Sequence, residues 1–546
     1  MFSIKSLFNK ADYTNPRLFH QQAIPLNRIY IILLSVIYIF YGFFSRDPWK
    51  NEDVIGFGSI YSLIKKPISS WYDIYSLTWD SYGQIYYIYS GLITKFLLLF
   101  DVRVDHAIRI GTILLLFLIL FLIWKISYNI ATRKNFIPYV YPLGGEPSTT
   151  NYARCIADMS VMLFCSCIGS ILRIHETTPF IFGIFLICLL IYTRLLRRFI
   201  FGILVLGVIV LFNHPLLSII CIFYIIYTYL KDFSYIFKNS YIFHILTVVY
   251  LVAIIFFLKH NFNYLSLELV QDRLNILATQ FPTFTWPLLP FSIFSFFIWY
   301  KDKTVRLLFL QIILVIFLFL LDKQLHQAYF LYTLPSLCIL SSLCFTKTSN
   351  AINKGIINFS IIGFSVLIIS MWVIWGCWQL GIQTVNYLNF LNNDFTFKSI
   401  VFALGFTLLW IFIITNVKTL IERKVIWATP FIMSTGLTIS WAIIVYLWLP
   451  AVNQVKTYRY VFNTINLYTK NSCVKVENLQ APQLASMSYM GNFKIGNNCQ
   501  FILTYSPYKN DDVLYVPKDA VLIWQGRRIL DKNEAFYLWK IQENSI

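Results

Sequence analysis

Long apolar runs alternate with short polar segments along most of this chain. The runs lie at 27–45, 86–100, 107–128, 158–172, 179–193, 199–212, 215–230, 241–258, 286–299, 305–321, 328–344, 356–378, 399–416 and 428–449. A helix needs about 20 apolar residues to span a bilayer, and several of these runs are shorter. The pattern therefore predicts an all-α polytopic membrane domain of about 12–14 transmembrane helices, with some short helices broken or re-entrant.

The pattern changes near Ala451, where charged residues, Asn and Gly become frequent and the long apolar runs end. Short segments rich in aromatic and β-branched residues follow, at 499–505, 513–516, 520–524 and 535–541, separated by turn-forming residues. The segment from Ala481 to Tyr489 reads as one helix. We therefore expect a small, mostly β domain over residues 451–546, after a membrane domain over 27–450 and an N-terminal segment over 1–26.

The composition supports a membrane protein, because 58% of the residues are hydrophobic and only 13% are charged. The net charge of +19 does not indicate a nucleic-acid partner, since the basic residues are scattered between apolar runs. They cluster at Lys5, Lys10, Arg17 and Arg28, at Arg194, Arg197 and Arg198, at Lys347 and Lys354, and at Lys418, Arg423 and Lys424. The positive-inside rule places these segments in the cytoplasm and the loop over 46–84 outside.

The topology contains one conflict. Counting back from the C-terminal domain places that domain, together with the loops at 259–285, 322–327 and 380–398, on the outer side. Counting forward from the N-terminus gives the opposite parity, so one apolar run between 86 and 198 must be re-entrant or fused with its neighbour. The side of the 129–157 loop stays open.

The first run is long and lacks a small-residue cleavage site, so it is expected to remain as an anchor.

Most of the ten cysteines lie in apolar runs, where a thiol behaves as a small hydrophobic group. Cys473 and Cys499 instead lie in the polar C-terminal segment. Outside the cytoplasm these two can pair as a disulfide, and in a reducing compartment they stay free.

The outer loop combines carboxylates with aromatic rings. The acids are Asp47, Glu52, Asp53, Asp73 and Asp80, and the rings include Trp49, Trp71, Trp79, Tyr82, Tyr86 and Tyr87. Aromatic rings can stack on sugars, and a carboxylate can accept a proton or hold a metal ion. The alternative is an interfacial loop, with an aromatic belt at the membrane surface and solvated acids.

A second group of ionisable residues lies in the hinge Arg173-Ile174-His175-Glu176-Thr177-Thr178-Pro179, between two apolar runs, and upstream of it at Arg154 and Asp158. Such residues at membrane depth usually face a cavity or a partner. His175 and His326 are candidates for contact with phosphate or metal. The alternative is a polar turn in which Pro179 starts a helix and the histidines are structural.

The order of residues in the outer loop resembles the first outer loop of the ArnT-like and protein O-mannosyltransferase group. Asp53 precedes Val-Ile-Gly-Phe-Gly, Trp71 follows, and Trp79-Asp80-Ser81-Tyr82-Gly83 comes before Tyr86-Tyr87. The resemblance extends to Trp286-Pro287-Leu288-Leu289-Pro290 and to the segment from His326 to Pro335. Members of this group are GT-C fold glycosyltransferases that use a polyprenyl-phosphate sugar donor.

The resemblance implies a sugar transfer on the extracytoplasmic face of a bacterial inner membrane. It makes Asp53 the catalytic base, with Glu52 beside it, and Asp80 a phosphate-positioning residue and the candidate metal ligand. The residues expected to bind substrate are Arg46, Asp47, Trp79, Tyr82, Tyr86, Arg173, His175, Glu176 and His326. A divalent metal ion is the one cofactor that the resemblance admits. The expected partners are the polyprenyl-phosphate donor, membrane lipids and a lipid or protein acceptor.

The competing hypothesis is a transporter or flippase of a lipid-linked sugar. Such proteins share the helix count and the membrane-buried charges, but they place their charges near the midplane and have short loops. The long acidic outer loop and the large C-terminal domain favour the transferase.

Overall fold

The computed structural model describes residues 23–44, 46–73, 78, 82–138, 147–197, 199–212, 217–220, 222–227, 270–321, 327–382, 397–470, 472–491, 494–506, 520–529, 531 and 534–541. The α-helices are α1 Arg28–Phe40, α2 Asn51–Lys65, α3 Gln84–Leu98, α4 Val104–Ala131, α5 Thr149–Cys165, α6 Ile168–Arg173, α7 Pro179–Leu195, α8 Phe199–Phe212, α9 Val270–Thr285, α10 Leu288–Trp299, α11 Lys303–Leu321, α12 Leu334–Cys344, α13 Asn350–Gln379, α14 Phe397–Glu422, α15 Ala428–Lys456, α16 Arg459–Thr469 and α17 Ala481–Met490. Short 3-10 helices lie at Ile68–Asp73, Lys134–Phe136 and Gln327–Thr333.

Six helical segments among the described residues are long and apolar enough to cross a membrane. They are Val104–Ala131, Lys303–Leu320, Gln327–Cys344, Asn350–Gln379, Phe397–Glu422 and Ala428–Lys456. A seventh is the bent pair Arg273–Thr285 and Leu288–Trp299, whose two halves meet at 89°. The all-α polytopic fold predicted from the apolar runs is confirmed, with shorter helices such as α1 and α7 packed among these spans.

Polar side chains mark where several of these helices begin. The Asn27 side chain accepts a hydrogen bond from the Ile29 N–H, and the Ser148 and Ser349 hydroxyls accept from Asn151 N–H and Ile352 N–H. These bonds satisfy backbone donors that have no partner within the helix. Local sequence therefore sets the starts of α1, α5 and α13.

The conflict in topology is resolved by α3, which contains most of the apolar run at 86–100. Its side chains Tyr86, Tyr89 and Thr94 bond to Thr112, Gly111 and Ala107, all in the first nine residues of α4. Arg109 of α4 in turn donates to the Arg46 carbonyl, directly after α1. α1 therefore ends, and α4 begins, at the same end of the bundle. α3 lies between them in sequence and stays at that end. The run at 86–100 is the one that does not cross.

We call this end of the bundle the outer end, and the opposite end, where α4 finishes, the inner end. α5 then begins at the inner end, so the 129–157 loop lies on the side of the N-terminus.

The expectation of an outer loop over 259–285 is wrong in its second half, because residues 270–285 form α9. Polar residues such as Gln271, Asp272 and Arg273 broke the apolar run there, although the segment is helical.

The C-terminal domain is a five-stranded sheet with two short helices. The strands are β1 Cys473–Glu477, β2 Lys494–Ile495, β3 Phe501–Ser506, β4 Ala520–Gly526 and β5 Ala535–Ile541. The spatial order is β2-β1-β3-β5-β4, with β1 parallel to β2 and β3, and β5 antiparallel to β3 and β4. α15 continues to Lys456, so the domain follows directly from the end of that helix. Cys473 and Cys499 are joined in a disulfide, with Cα atoms 5.1 Å apart.

The helix α2 lies between the membrane bundle and this domain. Val54 belongs to the hydrophobic core of the domain, and the Phe57 ring packs 4.6 Å from that of Tyr489. On its other side, Gly56 faces the bundle. A Cβ atom at Gly56 would lie 1.8 Å from the Thr177 carbonyl oxygen, so only glycine permits this approach.

The contact at Gly56 gives a stability prediction. Gly56→Ala is expected to lower the free energy of unfolding by about 1–3 kcal/mol, because the added methyl group must displace backbone atoms rather than a flexible side chain. The measurement is the thermal midpoint of purified protein in detergent. Gly207→Ala is the matched control, since nothing lies within 4 Å of a Cβ at that position. An unchanged midpoint for Gly56→Ala would contradict the packing of α2 on the 174–178 segment.

The disulfide gives a second prediction. Replacing Cys473 and Cys499 together by Ser is expected to destabilise the C-terminal domain by about 3 kcal/mol, because the bridge closes a loop with a sequence separation of 26. Proteolysis within the domain under increasing urea measures the loss. Cys377→Ser, which removes a free thiol, is the control. Quantitative alkylation of both cysteines in the native, unreduced protein would show that the bridge does not form.

Candidate functional site

The outer end of the bundle holds a group of charged side chains from four segments. We call Arg46, Lys50, Glu52, Asp53, Arg109, Arg173 and Glu176 the charged cluster. Arg46 and Lys50 come from the loop after α1, Glu52 and Asp53 from the first turn of α2, Arg109 from α4, and Arg173 and Glu176 from the end of α6 and the turn that follows. Local sequence explains the position of the two acids, since carboxylates are stabilised by the dipole at a helix N-terminus.

Asp53 lies at the centre of the cluster and is fully buried. One carboxylate oxygen accepts a hydrogen bond from Arg46 Nη2 at 2.6 Å, and the other accepts from the Thr177 N–H at 2.7 Å. Burial raises the pKa of the Asp53 carboxyl, but the charges of Arg46 and Arg109 and the bonds from Thr177 and Arg46 outweigh it. The pKa is therefore below its ordinary value, and Asp53 is ionised at neutral pH.

Arg109 stands behind this pair and is 1% exposed. Its Nη2 donates to the Arg46 carbonyl at 2.7 Å, and its guanidinium lies 5.6 Å from the centre of the Phe57 ring. Arg109 Nη1 and Arg46 Nε are buried and have no hydrogen-bond partner among the described residues. Leaving buried charged donors unpaired costs stability, so the cluster has unused capacity to bind an anion.

Glu176 forms the second ion-pair centre. It accepts from Lys50 Nζ at 2.7 Å and from Arg173 Nη1 at 3.3 Å. Burial raises the pKa of the Glu176 carboxyl above its ordinary value, against the opposing charges of Lys50 and Arg173. Burial likewise lowers the pKa of the Lys50 ammonium, although Glu176 acts in the other direction.

The exposed side of the cluster consists of Lys50, Glu52 and Arg173, whose side chains are 23%, 18% and 17% exposed. Arg173 Nη1 bonds to Glu52 at 3.2 Å, and its Nη2 lies 3.4 Å from the Gln327 side chain. A ligand would therefore meet Lys50, Glu52 and Arg173 first, and Arg46, Asp53 and Arg109 behind them. Counting side chains, the cluster has four cations and three carboxylates, which favours an anionic ligand.

Asp47 lies next to this cluster but has a different partner. Its carboxylate bonds to Arg459 through Nη2 at 2.7 Å and Nε at 3.0 Å, and it accepts from the Thr457 hydroxyl at 2.9 Å. Burial raises the pKa of the Asp47 carboxyl, but the bonds and charge of Arg459 and the Thr457 bond bring it below the ordinary value. Asp47 thus joins the outer loop to the C-terminal domain, and both of its carboxylate oxygens take part in that contact.

His175 is expected from sequence to contact phosphate or metal, and the structure places it in a structural position instead. It is 1% exposed, and its Nε2 and Nδ1 lie 2.8 and 3.2 Å from the carbonyl oxygens of Tyr38 and Ile171. Its ring stacks on that of Trp441. Burial lowers the pKa of His175 to about 4, so the ring is neutral at physiological pH.

Of the other residues predicted to bind substrate or metal, two lie in the described part of the structure and three do not. Tyr86 is fully buried and bonds to the Thr112 hydroxyl at 2.8 Å, and Tyr82 packs 5.9 Å from the Phe180 ring, so both support the start of α3 and α7. Trp79, Asp80 and His326 lie outside the described residues. Among the described residues, no group of three or more His, Cys, Asp or Glu side chains is arranged to hold a metal ion.

Sequence reasoning missed Lys50, Arg109, Gln327 and Arg459. Arg109 had a signal, because it is an arginine inside an apolar run, where such residues are costly. Lys50 lies between Arg46 and Asp53 in the sequence, but the pattern of the outer loop assigns it no role. Gln327 lies in the segment from His326 to Pro335 that carries the resemblance, next to the candidate His326, and Arg459 carried no local signal.

The crystal structure of ArnT from Cupriavidus metallidurans in the apo state matches with a TM-score of 0.58 and 11% identity, over 94% of this chain and 97% of that chain. The crystal structure of ArnT from the same organism bound to undecaprenyl phosphate matches with a TM-score of 0.55 and 12% identity over the same shares. No family model and no curated protein sequence matches the chain. The chain therefore has the ArnT fold, as the resemblance of its outer loop predicted.

Proposed function

We propose that this chain is a membrane glycosyltransferase that takes a sugar from a polyprenyl-phosphate donor and transfers it to an acceptor at the outer face of a bacterial inner membrane. The observation that carries the proposal is the charged cluster itself. Four cations and three carboxylates lie together at the end of the bundle that the C-terminal domain covers. In the matching fold, one of the solved ArnT structures is bound to undecaprenyl phosphate at 12% identity.

A phosphate leaving group needs cations that are already in place, because its negative charge increases as the glycosidic bond breaks. Lys50 and Arg173 are the cations that a headgroup reaches first, and behind them Arg46 Nε and Arg109 Nη1 have no hydrogen-bond partner among the residues that the structure describes. Guanidinium groups suit phosphate because their planar donors match its oxygens.

The acceptor must lose a proton as it attacks the sugar, so one carboxylate has to act as base. Asp53 is ionised and lies at the centre of the cluster, and we propose it as that base. The attack then forms the new glycosidic bond at the anomeric carbon, the donor C–O bond breaks, and polyprenyl phosphate leaves with the electron pair. Glu52 is the second candidate, because it is the carboxylate on the exposed side of the cluster.

Fold and site position also bear on the transporter hypothesis. A transporter of a lipid-linked sugar places its ionisable residues near the membrane midplane, where access alternates between the two sides. Here the cluster lies at the outer end, beside the C-terminal domain, and Asp47 connects the loop to that domain. This arrangement favours chemistry at one surface over passage through the bundle. The acceptor is proposed only as a lipid, a protein or another envelope glycan.

The base assignment is tested by comparing two isosteric variants. Asp53→Asn is expected to lower the rate of sugar transfer by about 10²- to 10⁴-fold, the usual contribution of a general base. Glu52→Gln is expected to lower it by about tenfold, through loss of the ion pair that orients Arg173. The assay follows radiolabelled sugar from a polyprenyl-phosphate donor into the envelope fraction of a host, with Asp101→Asn, an exposed acid at the outer end, as control.

The outcomes of that comparison separate the alternatives. If the rate of sugar transfer falls equally in both variants and only Asp53→Asn also lowers the thermal midpoint, Glu52 is the base and Asp53 is a positioning residue. Undiminished transfer by Asp53→Asn would reject the site. Transport of intact lipid-linked sugar that survives in both variants would support the flippase instead.

Donor binding is tested at Arg109. Arg109→Lys keeps the charge but loses the forked donors, and it is expected to weaken binding of polyprenyl phosphate by about tenfold to a hundredfold. The measurement is titration of purified protein with short-chain polyprenyl phosphate. Arg103→Lys is the matched control, because Arg103 precedes the same helix, is 74% exposed and pairs only with Asp105 in the contacts we observe. Equal affinities of the two variants would mean that Arg109 holds the loop after α1 rather than the donor.

A further inference from the structure

A large cavity lies near the inner end, far from the charged cluster. It has a volume of about 530 Å³ and is bounded by α1, α4 and α5. Its walls are largely apolar, and Ile32 and Phe121 on its rim are exposed on the surface of the bundle. Arg109 belongs to the charged cluster and Trp124 lines the cavity, and both lie on α4. At 1.5 Å per residue, their separation along the helix is about 22 Å.

One end of this cavity is charged. Asp158 lines it and is only 2% exposed. One of its carboxylate oxygens accepts from the Trp124 indole N–H at 2.8 Å, and the other, Oδ2, is buried without a hydrogen-bond partner among the described residues. A half-satisfied carboxylate at this depth is costly, and it indicates a site for a ligand or partner.

Arg154 lines the cavity one turn earlier on the same helix. Its Nη2 donates to the Leu26 carbonyl at 2.9 Å, while its Nε is buried and unpartnered among the described residues. Residues four apart on a helix commonly pair, yet no ion pair joins Arg154 and Asp158 in this part of the chain. The two groups therefore each keep an unsatisfied atom. Arg28 and Lys125 add two more cations to the lining.

A ligand that fits this lining needs three features: a hydrocarbon part for the apolar walls, a cationic group with N–H donors for Asp158, and an anionic group for the arginines and the lysine. We infer that this cavity binds an aminophospholipid, with the ammonium on Asp158 and the phosphate on Arg154, Arg28 and Lys125. Phosphatidylethanolamine has this combination. Phosphatidylglycerol has the phosphate but no cation for the carboxylate, and it would leave Asp158 Oδ2 unpaired.

This inference does not depend on the proposed sugar transfer, because no residue of the charged cluster lines the cavity. Lipid binding here therefore stands or fails whether or not the chain transfers sugar.

The test measures lipid retention by the full-length protein. Purified protein is exchanged into phosphatidylcholine nanodiscs doped with either phosphatidylethanolamine or phosphatidylglycerol, and bound lipid is counted by native mass spectrometry. The wild type is expected to retain phosphatidylethanolamine preferentially. Asp158→Asn keeps the acceptor for Trp124 but removes the charge, and it is expected to lower this retention by about tenfold, the effect of one lost charge-assisted hydrogen bond.

Two further variants and one competition experiment complete the test. Arg154→Gln is expected to weaken retention of both lipids, because it removes a phosphate partner, and Asp101→Asn is expected to change neither. Soluble phosphoethanolamine should not compete, since it lacks the hydrocarbon part. Equal retention of the two lipids by the wild type would overturn the proposal. It would also be overturned if Asp158→Asn changed neither the retention of phosphatidylethanolamine nor the thermal midpoint. Competition by the soluble headgroup would overturn its lipid part.

Discussion

The outer end of this protein depends on the buried ion pair between Asp53 and Arg46. Asp53 also accepts from the backbone N–H of Thr177, which is 124 positions away in sequence. Through these two bonds one carboxylate holds the loop after α1, the first turn of α2 and the turn before α7. Removing one partner of such a buried pair costs about 3–5 kcal/mol, because the other charge is left uncompensated. The stability from Asp53 is present at neutral pH and is lost as pH falls through its lowered pKa.

The same constraint extends outward to the C-terminal domain. Asp47 directly follows Arg46, and its bonds to Arg459 and Thr457 fix the domain against the loop that carries the ion pair. α2 adds an apolar contact, since Val54 lies in the domain core while Gly56 meets the bundle. The domain is thus part of the frame that positions the charged cluster, because Asp47 contacts the domain and is adjacent in sequence to Arg46.

The two ends of the bundle use buried charge differently. At the outer end, Asp53 and Glu176 each have cationic partners, and the excess positive charge is what makes an anionic ligand favourable. At the inner end, Asp158 and Arg154 lie one turn apart and each keeps an atom without a hydrogen-bond partner in the described part of the chain, and the other walls of the cavity are largely apolar. The first arrangement suits a phosphate and the second a headgroup with both charges. α4 contributes to both, through Arg109 and Trp124.

The sequence by itself determined the membrane class, the loop that carries Asp53, three of the five strands of the C-terminal domain (β3, β4 and β5) and the family resemblance that predicted the fold. These follow from apolar runs, charge bias and alternation, which are local properties of the chain. It also named Arg46, Asp53, Arg173 and Glu176, but as separate candidates from two segments. Only the tertiary structure decided that they form one cluster with Arg109 and Lys50, that Asp47 faces Arg459, that His175 is structural and that α3 does not cross the bundle. The physical reason is that a charge acquires its role from the groups packed around it, and contacts between residues far apart in sequence leave no periodic trace.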